Sequence, residues 1–283
     1  MLYALKNIMK TIDTHSHFNL HQFEHDLPES IARMESCGVG TICIGIDLPT
    51  SDHAMRLAQE HESIWACVGQ HPTEWDKDFD DEAFEDLADE ARVVAIGECG
   101  LDYYREKDRG GIVEQKVLFQ KQIAIAHKYD LPLMLHIRPS PNNPSARQGL
   151  TESSIDAYEE ALDMLEEYNT RHPHATKALR GTAHFFAGTK EIAQRFLDLG
   201  FYISFSGVIT FVKEYEELVD FVPLDRILPE TDAPFATPAP YRGKRNNPEY
   251  VLEVVKKIAE IKGLSFEETQ EHLRHNVNQL FNI

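Results

Sequence analysis

Two histidines stand two residues apart in the stretch "TIDTHSHFN", at His15 and His17. If this stretch is extended, successive side chains alternate between faces, so both imidazoles project from one side while Thr14 and Ser16 point away. Two imidazoles on one face suit a metal ion, for which neutral imidazole nitrogen is the commonest protein ligand. On spacing alone the pair could equally be a loop cap and a surface residue. The weight comes from further side chains of the same kind: Glu98 in "VVAIGECGLD", His136 in "LPLMLHIR", His184 in "GTAHFFAG" and Asp232 in "RILPETDAP". Glu98 by itself could accept backbone hydrogen bonds in a turn, His136 and His184 could be hydrogen-bonded core residues, and Asp232 could cap a turn. Their coincidence at the ends of strand-like runs makes them a ligand set.

Four imidazoles and two carboxylates suit Zn2+, Mn2+, Fe or Co rather than Ca2+, with Mg2+ admissible where substrate phosphates complete its shell. The set exceeds the protein ligands of a single catalytic zinc, so it predicts two divalent ions (Mg2+, Mn2+ or Zn2+) bridged by Glu98. Two ions ~3.5–4 Å apart activate water and clamp the attacking and leaving oxygens of an in-line displacement. That chemistry is hydrolysis.

The stretch "APYRGKRNNPE" places Arg242, Lys244 and Arg245 shortly after Asp232, a dense basic cluster in a very acidic chain. Charge runs are usually solvated loops. Beside the expected metals this one is predicted to capture phosphate, with arginine supplying bidentate contacts. His71 in "VGQHP" and Arg138 are also expected to reach a phosphate.

Residues this far apart must be brought together by the fold. Strand-like runs "KTIDTHSH", "GTICIGID", "IWACVGQH", "VVAIGECGLD", "LPLMLHIR", "GTAHFFAG", "FYISFSG" and "RILPETDAP" alternate with segments of helical period. Those segments are Pro28 to Cys37, Ser51 to Glu62, Asp80 to Ala91, Val113 to Tyr129, Ser153 to Asn169, Glu191 to Leu199 and Val212 to Phe221. Such alternation means parallel strands joined by crossover helices. About eight units, followed by helices near Pro248 to Lys262 and Ser265 to Phe281, predict a (β/α)8 TIM barrel forming a single domain over residues 1–283, with a doubly wound sheet second. No GxGxxG or GxxxxGK[ST] opens a helix, so a nucleotide fingerprint is absent. In a barrel the C-terminal strand ends share one mouth, where the candidate ligands would converge. The stretch from Arg138 to Ser153, dense in Pro, Asn, Ser and Gly, reads as a loop on that side, either a lid or a plain insertion.

Composition narrows the function classes. Of 283 residues, 42% are hydrophobic and 27% charged, which supports a sizeable core and argues against disorder. Twenty-eight Lys and Arg against 47 Asp and Glu give a net charge of −19, which repels polyanions at long range and excludes a non-specific coat for duplex DNA. A phosphate-bearing substrate requires a basic patch or bound cations to invert that field locally. Cys37, Cys43, Cys67 and Cys99 show no CxxC spacing and read as reduced, mostly buried thiols. The N-terminal "MLYALKNIMK" is interrupted by Lys6 and Lys10 and has no small-residue cleavage site. No apolar run approaches the ~18 residues of a membrane span. The expectation is a cytoplasmic protein with no membrane contact and no obligate protein partner.

The stretches "DTHSHFN", "GECGLDYY", "LHIRPS", "HFFAG" and "ETDAPFATPAPYRGKRNNPEY", in that order across nearly the whole chain, resemble the TatD family of metal-dependent deoxyribonucleases, relatives of the amidohydrolases. The resemblance implies a (β/α)8 barrel, a divalent-metal centre and hydrolysis of DNA phosphodiesters, typically as a 3′–5′ exonuclease on single strands. Carried over by position, it implies His15, His17, Glu98, His136, His184 and Asp232 as metal ligands, with Glu98 as the bridge. It places Arg242, Lys244 and Arg245 in the family's signature tail. Where family members often carry Cys and Ser or Thr in the sixth-strand motif, this chain has Phe185 and Ala187, neither at a ligand position.

The resulting expectation is a hydrolase acting on DNA ends, with Glu98 and Asp232 as catalytic carboxylates. Asp232 would both hold a metal and accept a proton from the attacking water. Two rivals remain open: a hydrolase of a small ester, lactone or amide on the same scaffold, and a binding protein that retains the pocket without turnover.

Overall fold

The computed structural model describes residues 9–104, 111–140, 156–172 and 178–283. Parallel strands follow one another in sequence order around one eight-stranded sheet. They are β1 Thr11–Ser16, β2 Val39–Ile44, β3 Ile64–Val68, β4 Val93–Asp102, β5 Leu133–Arg138, β6 Gly181–Ala183, β7 Tyr202–Phe205 and β8 Ile227–Pro229. The seam between β8 and β1 is closed by a parallel bridge from Ser16 to Ala233. Nearby, the Thr14 hydroxyl donates to the Pro229 carbonyl at 3.0 Å and the Asp232 amide to the His15 carbonyl at 2.9 Å. This is the expected (β/α)8 barrel.

Helices α1 Leu27–Ser36, α2 Leu48–Glu60, α3 Asp81–Ala88, α4 Ile112–Tyr129, α5 Asp156–Arg171, α6 Lys190–Asp198 and α7 Glu216–Phe221 fall between the strands. Helices α8 Val251–Lys262 and α9 Phe266–Phe281 follow β8. Their starts are chemically marked. Asp47, Asp80, Thr189 and Ser265 each accept a hydrogen bond from an amide that the first helical turn leaves unpaired.

The strands sort their apolar residues by alternation. Along β2, Ile42 and Ile44 join a cluster with Ile12, Cys67, Met134 and Leu228, capped by Leu280 and Phe281 of α9. Val39 and Cys43, on the other face, join the larger layer beneath the helices, with Phe119, Leu165, Phe196 and Val254. The barrel interior is therefore packed, and the C-terminal strand ends face one mouth.

Three elements differ from the sequence expectation. β6 and β8 are three residues each, so His184 leaves directly after its strand and Asp232 sits in the loop beyond its own. The helix expected from Val212 is replaced by a short 3-10 turn at Lys213–Tyr215 before α7, because Val212 itself is extended (φ −113°, ψ 103°). Of the proposed lid, Arg138 to Ser140 belong to the described segments and residues 141–153 lie outside them. Among the described residues no helix is long and apolar enough to cross a membrane.

Candidate metal centre

Two strands that carry candidate ligands break their pairing at those ligands. The β1–β2 register shifts between Asp13 and Ser16, and the β4–β5 register shifts between Ile96 and Cys99. Irregularities of this kind re-aim a side chain and recur beside functional sites. The first brackets His15 and the second brackets Glu98. Gly97 has φ +147°, and a Cβ there would lie 2.4 Å from the Met134 carbonyl oxygen. Only a residue without a side chain lets β4 run this close to β5.

The mouth collects all the predicted ligands. His15 Nε2 and His17 Nε2 lie 3.2 Å apart. Glu98 sits between two groups of imidazoles. Its Oε2 is 3.6 Å from His15 Nε2 and 3.8 Å from His17 Nε2. Its Oε1 is 2.6 Å from His136 Nδ1, 3.6 Å from His184 Nε2 and 3.7 Å from His71 Nε2. Asp232 Oδ1 closes the first group, 3.5 Å from His17 Nε2 and 3.9 Å from His15 Nε2. The His15 and His184 rings stack with centroids 3.5 Å apart.

Hydrogen bonds behind the cluster set which nitrogen of each ring faces it. His17 Nδ1 lies 3.1 Å from the Ile44 carbonyl, so Nδ1 carries the proton and Nε2 presents its lone pair. His184 Nδ1 lies 2.9 Å from a Glu230 carboxylate oxygen, with the same consequence for its Nε2. His136 Nε2 lies 3.2 Å from Asp102 Oδ2, which leaves Nδ1 toward Glu98. His71 is the reverse: its Nδ1 accepts from the Thr73 amide at 3.1 Å, so in the neutral ring the proton is on Nε2.

Sequence reasoning missed Glu230 and Asp102, both fully buried. Glu230 also accepts from the Phe185 amide at 2.9 Å and from the Ser204 hydroxyl at 2.5 Å. Asp13 is a third, buried beneath His15, where it accepts from the Thr231 amide at 2.8 Å. For Asp102 the signal was present: it is four residues along β4 from Glu98, a spacing that keeps side chains on one face.

Burial and neighbouring charges set the protonation of each group. Burial and the neighbouring His184 push His15 down to about 3, so it is neutral at ordinary pH. Burial disfavours charge on His136, but hydrogen bonds to Asp102 and Glu98 outweigh it and raise the ring to about 9. His184 is likewise raised to about 9 against burial, chiefly by Glu230. Burial alone would protonate Glu98, yet the surrounding imidazoles, His71 and His15 first, hold its carboxyl well below the usual range.

The residues present fit divalent metal. Ligand atoms of His15, His17 and Glu98, of His15, His184 and Asp232, and of Glu98, His136 and His184 each lie within 4.8 Å of one another. Buried nitrogens that face each other and two carboxylates need a shared cation more than each other's protons.

The sequence model of the family described as TatD related DNase matches residues 12–282. The chain belongs to the TatD family. It is a metal-dependent hydrolase acting on ester bonds. It is 38% identical over 276 residues to the uncharacterized metal-dependent hydrolase YabD of Bacillus subtilis, covering 96% of this chain and 98% of that one. It is 32% identical over 273 residues to the 3′-5′ ssDNA/RNA exonuclease TatD of Klebsiella pneumoniae, covering 93% and 94% of the two chains. Among solved structures, YJJV, a TatD homologue from Escherichia coli K12, superposes with a TM-score of 0.82 at 27% identity, over 98% of this chain and 99% of that one.

In this TatD chain the mouth opens into a cleft of about 500 Å3 lined by His17, His71, Glu98, His136, Arg138, His184, Asp232 and Phe235, among others. Phe185 and Ala187, the two departures from the family pattern, also line it. The basic cluster does not. Arg245 pairs with Asp26 at 2.6 Å, donates to the Gln22 carbonyl at 2.7 Å and covers the Phe23 ring at 4.3 Å. Arg242 donates to the Thr237 carbonyl at 2.8 Å and lies 3.9 Å over Phe211. Lys244 Nζ stands 6.0 Å over Tyr241. In this structure acceptors along the tail and at the start of α1 engage the two arginines. Arg138, by contrast, is in the cleft wall.

Proposed function

We propose that this TatD hydrolase is a nuclease that shortens single-stranded DNA from its 3′ end, using two divalent ions, Mg2+, Mn2+ or Zn2+. One observation carries the reading. Glu98 divides its oxygens between two imidazole groups, Oε2 toward His15 and His17, Oε1 toward His136 and His184, as a bridging carboxylate does. Relatives named 3′-5′ ssDNA/RNA exonuclease, from Klebsiella pneumoniae and Citrobacter koseri, support the substrate class. Four unpaired thiols fit the reducing cytoplasm as the place of action.

His15, His17 and Asp232 would hold one ion, His136 and His184 the other, with Glu98 between them. Ions held there supply Lewis acidity toward a phosphoryl oxygen and acidify water. The protein's own contribution is placement and proton transfer. Asp232, with its side chain 17% exposed, is open to the cleft and accepts the proton of the attacking water. His71 presents Nε2–H to a non-bridging phosphate oxygen, and Arg138 neutralises the next phosphate. Glu230 and Asp102 keep His184 and His136 in the tautomers that leave a lone pair toward the cluster.

One observation favours the smaller-substrate reading: among the described residues that line the cleft, Arg138 is the only Lys or Arg. Oligonucleotides labelled at either end, incubated with Mg2+, Mn2+ or chelator beside a Glu98→Ala control, separate the two. Metal-dependent shortening from the 3′ end that disappears in the control supports the nuclease. Intact oligonucleotide in every metal, with turnover of a small ester or lactone, replaces it.

A further inference from the structure

A nuclease with a net charge of −19, whose Arg242, Lys244 and Arg245 do not line the cleft, needs another means of gripping a strand. The surface around the mouth supplies one. Large aromatic residues are normally covered, yet Tyr104 is 42%, Phe211 42% and Phe235 47% exposed. All three follow the C-terminal ends of strands, after β4, β7 and β8, and so lie on the face that carries the metal centre. Phe221, 38% exposed, ends a helix on the opposite face.

Each ring is held rather than loose. Phe235 lines the cleft with its ring centroid 6.2 Å from that of His17, and its amide donates to the Asp232 carbonyl at 2.7 Å. The Arg138 guanidinium lies 3.8 Å from the Tyr104 ring centroid, and that of Arg242 lies 3.9 Å from Phe211. The Phe211 turn is tied to the loop after β8, because Thr210 Oγ1 accepts from the Ala239 amide at 2.8 Å. Rigid, exposed aromatic faces stacked with guanidinium are what an unpaired base recognises, and every base offers such a face irrespective of sequence.

We propose that Phe235, Tyr104–Arg138 and Phe211–Arg242 are stacking platforms for the bases of a single strand whose terminal phosphodiester lies at the metal centre. The assignment rests on the nuclease reading. It explains how an acidic chain takes a polyanion: the bound metals and Arg138 meet the phosphates, and stacking holds the bases. It also selects against duplex, whose bases are already stacked on one another.

The test compares KM for a single-stranded oligonucleotide bearing ordinary bases with KM for one abasic at its terminal positions, in metal-loaded protein. Wild type is expected to prefer the base-bearing strand. Phe235→Ala and Phe211→Ala should each shrink that preference by about tenfold, equivalent to about 1.4 kcal/mol of lost stacking, and Phe235→Trp should restore it. Metal content and Tm of each variant separate a lost platform from a lost fold. If wild type cuts both strands with equal KM, or the alanine variants keep its preference, the platforms are wrong and the nuclease stands. If wild type cuts neither strand in any metal, both readings fall.

Discussion

Glu230 holds His184 from behind: its carboxylate lies 2.9 Å from Nδ1, while Nε2 of the same ring is 3.6 Å from Glu98 Oε1. This is a carboxylate–histidine pair aimed at the cluster, and on the proposed reading its loss should act through the metal. Glu230→Gln keeps the shape and removes the charge. Metal affinity should fall about 10–100-fold, measured by competition with a chromophoric chelator. An unchanged affinity would make Glu230 a packing residue only.

Asp232 has φ +57°, a conformation that Asn tolerates well, so Asp232→Asn tests chemistry rather than folding. Loss of a general base typically costs about 10²–10⁴-fold in kcat. We expect a loss of that order with Tm nearly unchanged. Full turnover at unchanged metal content would remove the proton-accepting role.

Gly97→Ala places a methyl group 2.4 Å from the Met134 carbonyl oxygen at φ +147°. Neither the backbone nor the neighbouring strand can give way without opening the β4–β5 pairing. Destabilisation of about 2 kcal/mol or more is expected, read by denaturant unfolding, together with loss of bound metal because Glu98 is the next residue. Wild-type stability would mean that β4 relaxes freely.

Arg245 is expected to contribute to stability rather than to substrate binding. Arg245→Ala should lower Tm and leave KM for an oligonucleotide unchanged; a raised KM at wild-type Tm would return the residue to the substrate. Its partner Asp26 sets a pH window. The hydrogen bond from Arg245 lowers the Asp26 carboxyl to about 2, below the ~3.9 of an unfolded aspartate. A depressed carboxylate stabilises above the unfolded value and loses that contribution as pH falls through the folded one. The Tm gap between wild type and Asp26→Asn should therefore be full at pH 7 and shrink between about pH 4 and pH 2. The gap should be small throughout, since the pair is partly open to solvent.

The amino-acid sequence by itself determined the architecture and which six candidate ligands share one mouth. Alternating strand and helix patterns permit one mouth at the C-terminal strand ends, and His15, His17, Glu98, His136, His184 and Asp232 each occupy a position that such a mouth gathers. A period of two along a strand is a local property, so it can be read without coordinates. The tertiary structure decided what each group faces. That Arg245 pairs with Asp26, just before α1, depends on a contact across more than two hundred residues. That Glu230 and Asp102 reach the histidines depends on β7 holding the ends of β6 and β8 together and on β4 lying beside β5. Charge and spacing state what a side chain is able to do. Which partner reaches it first is set by packing, and packing is decided only when the barrel closes.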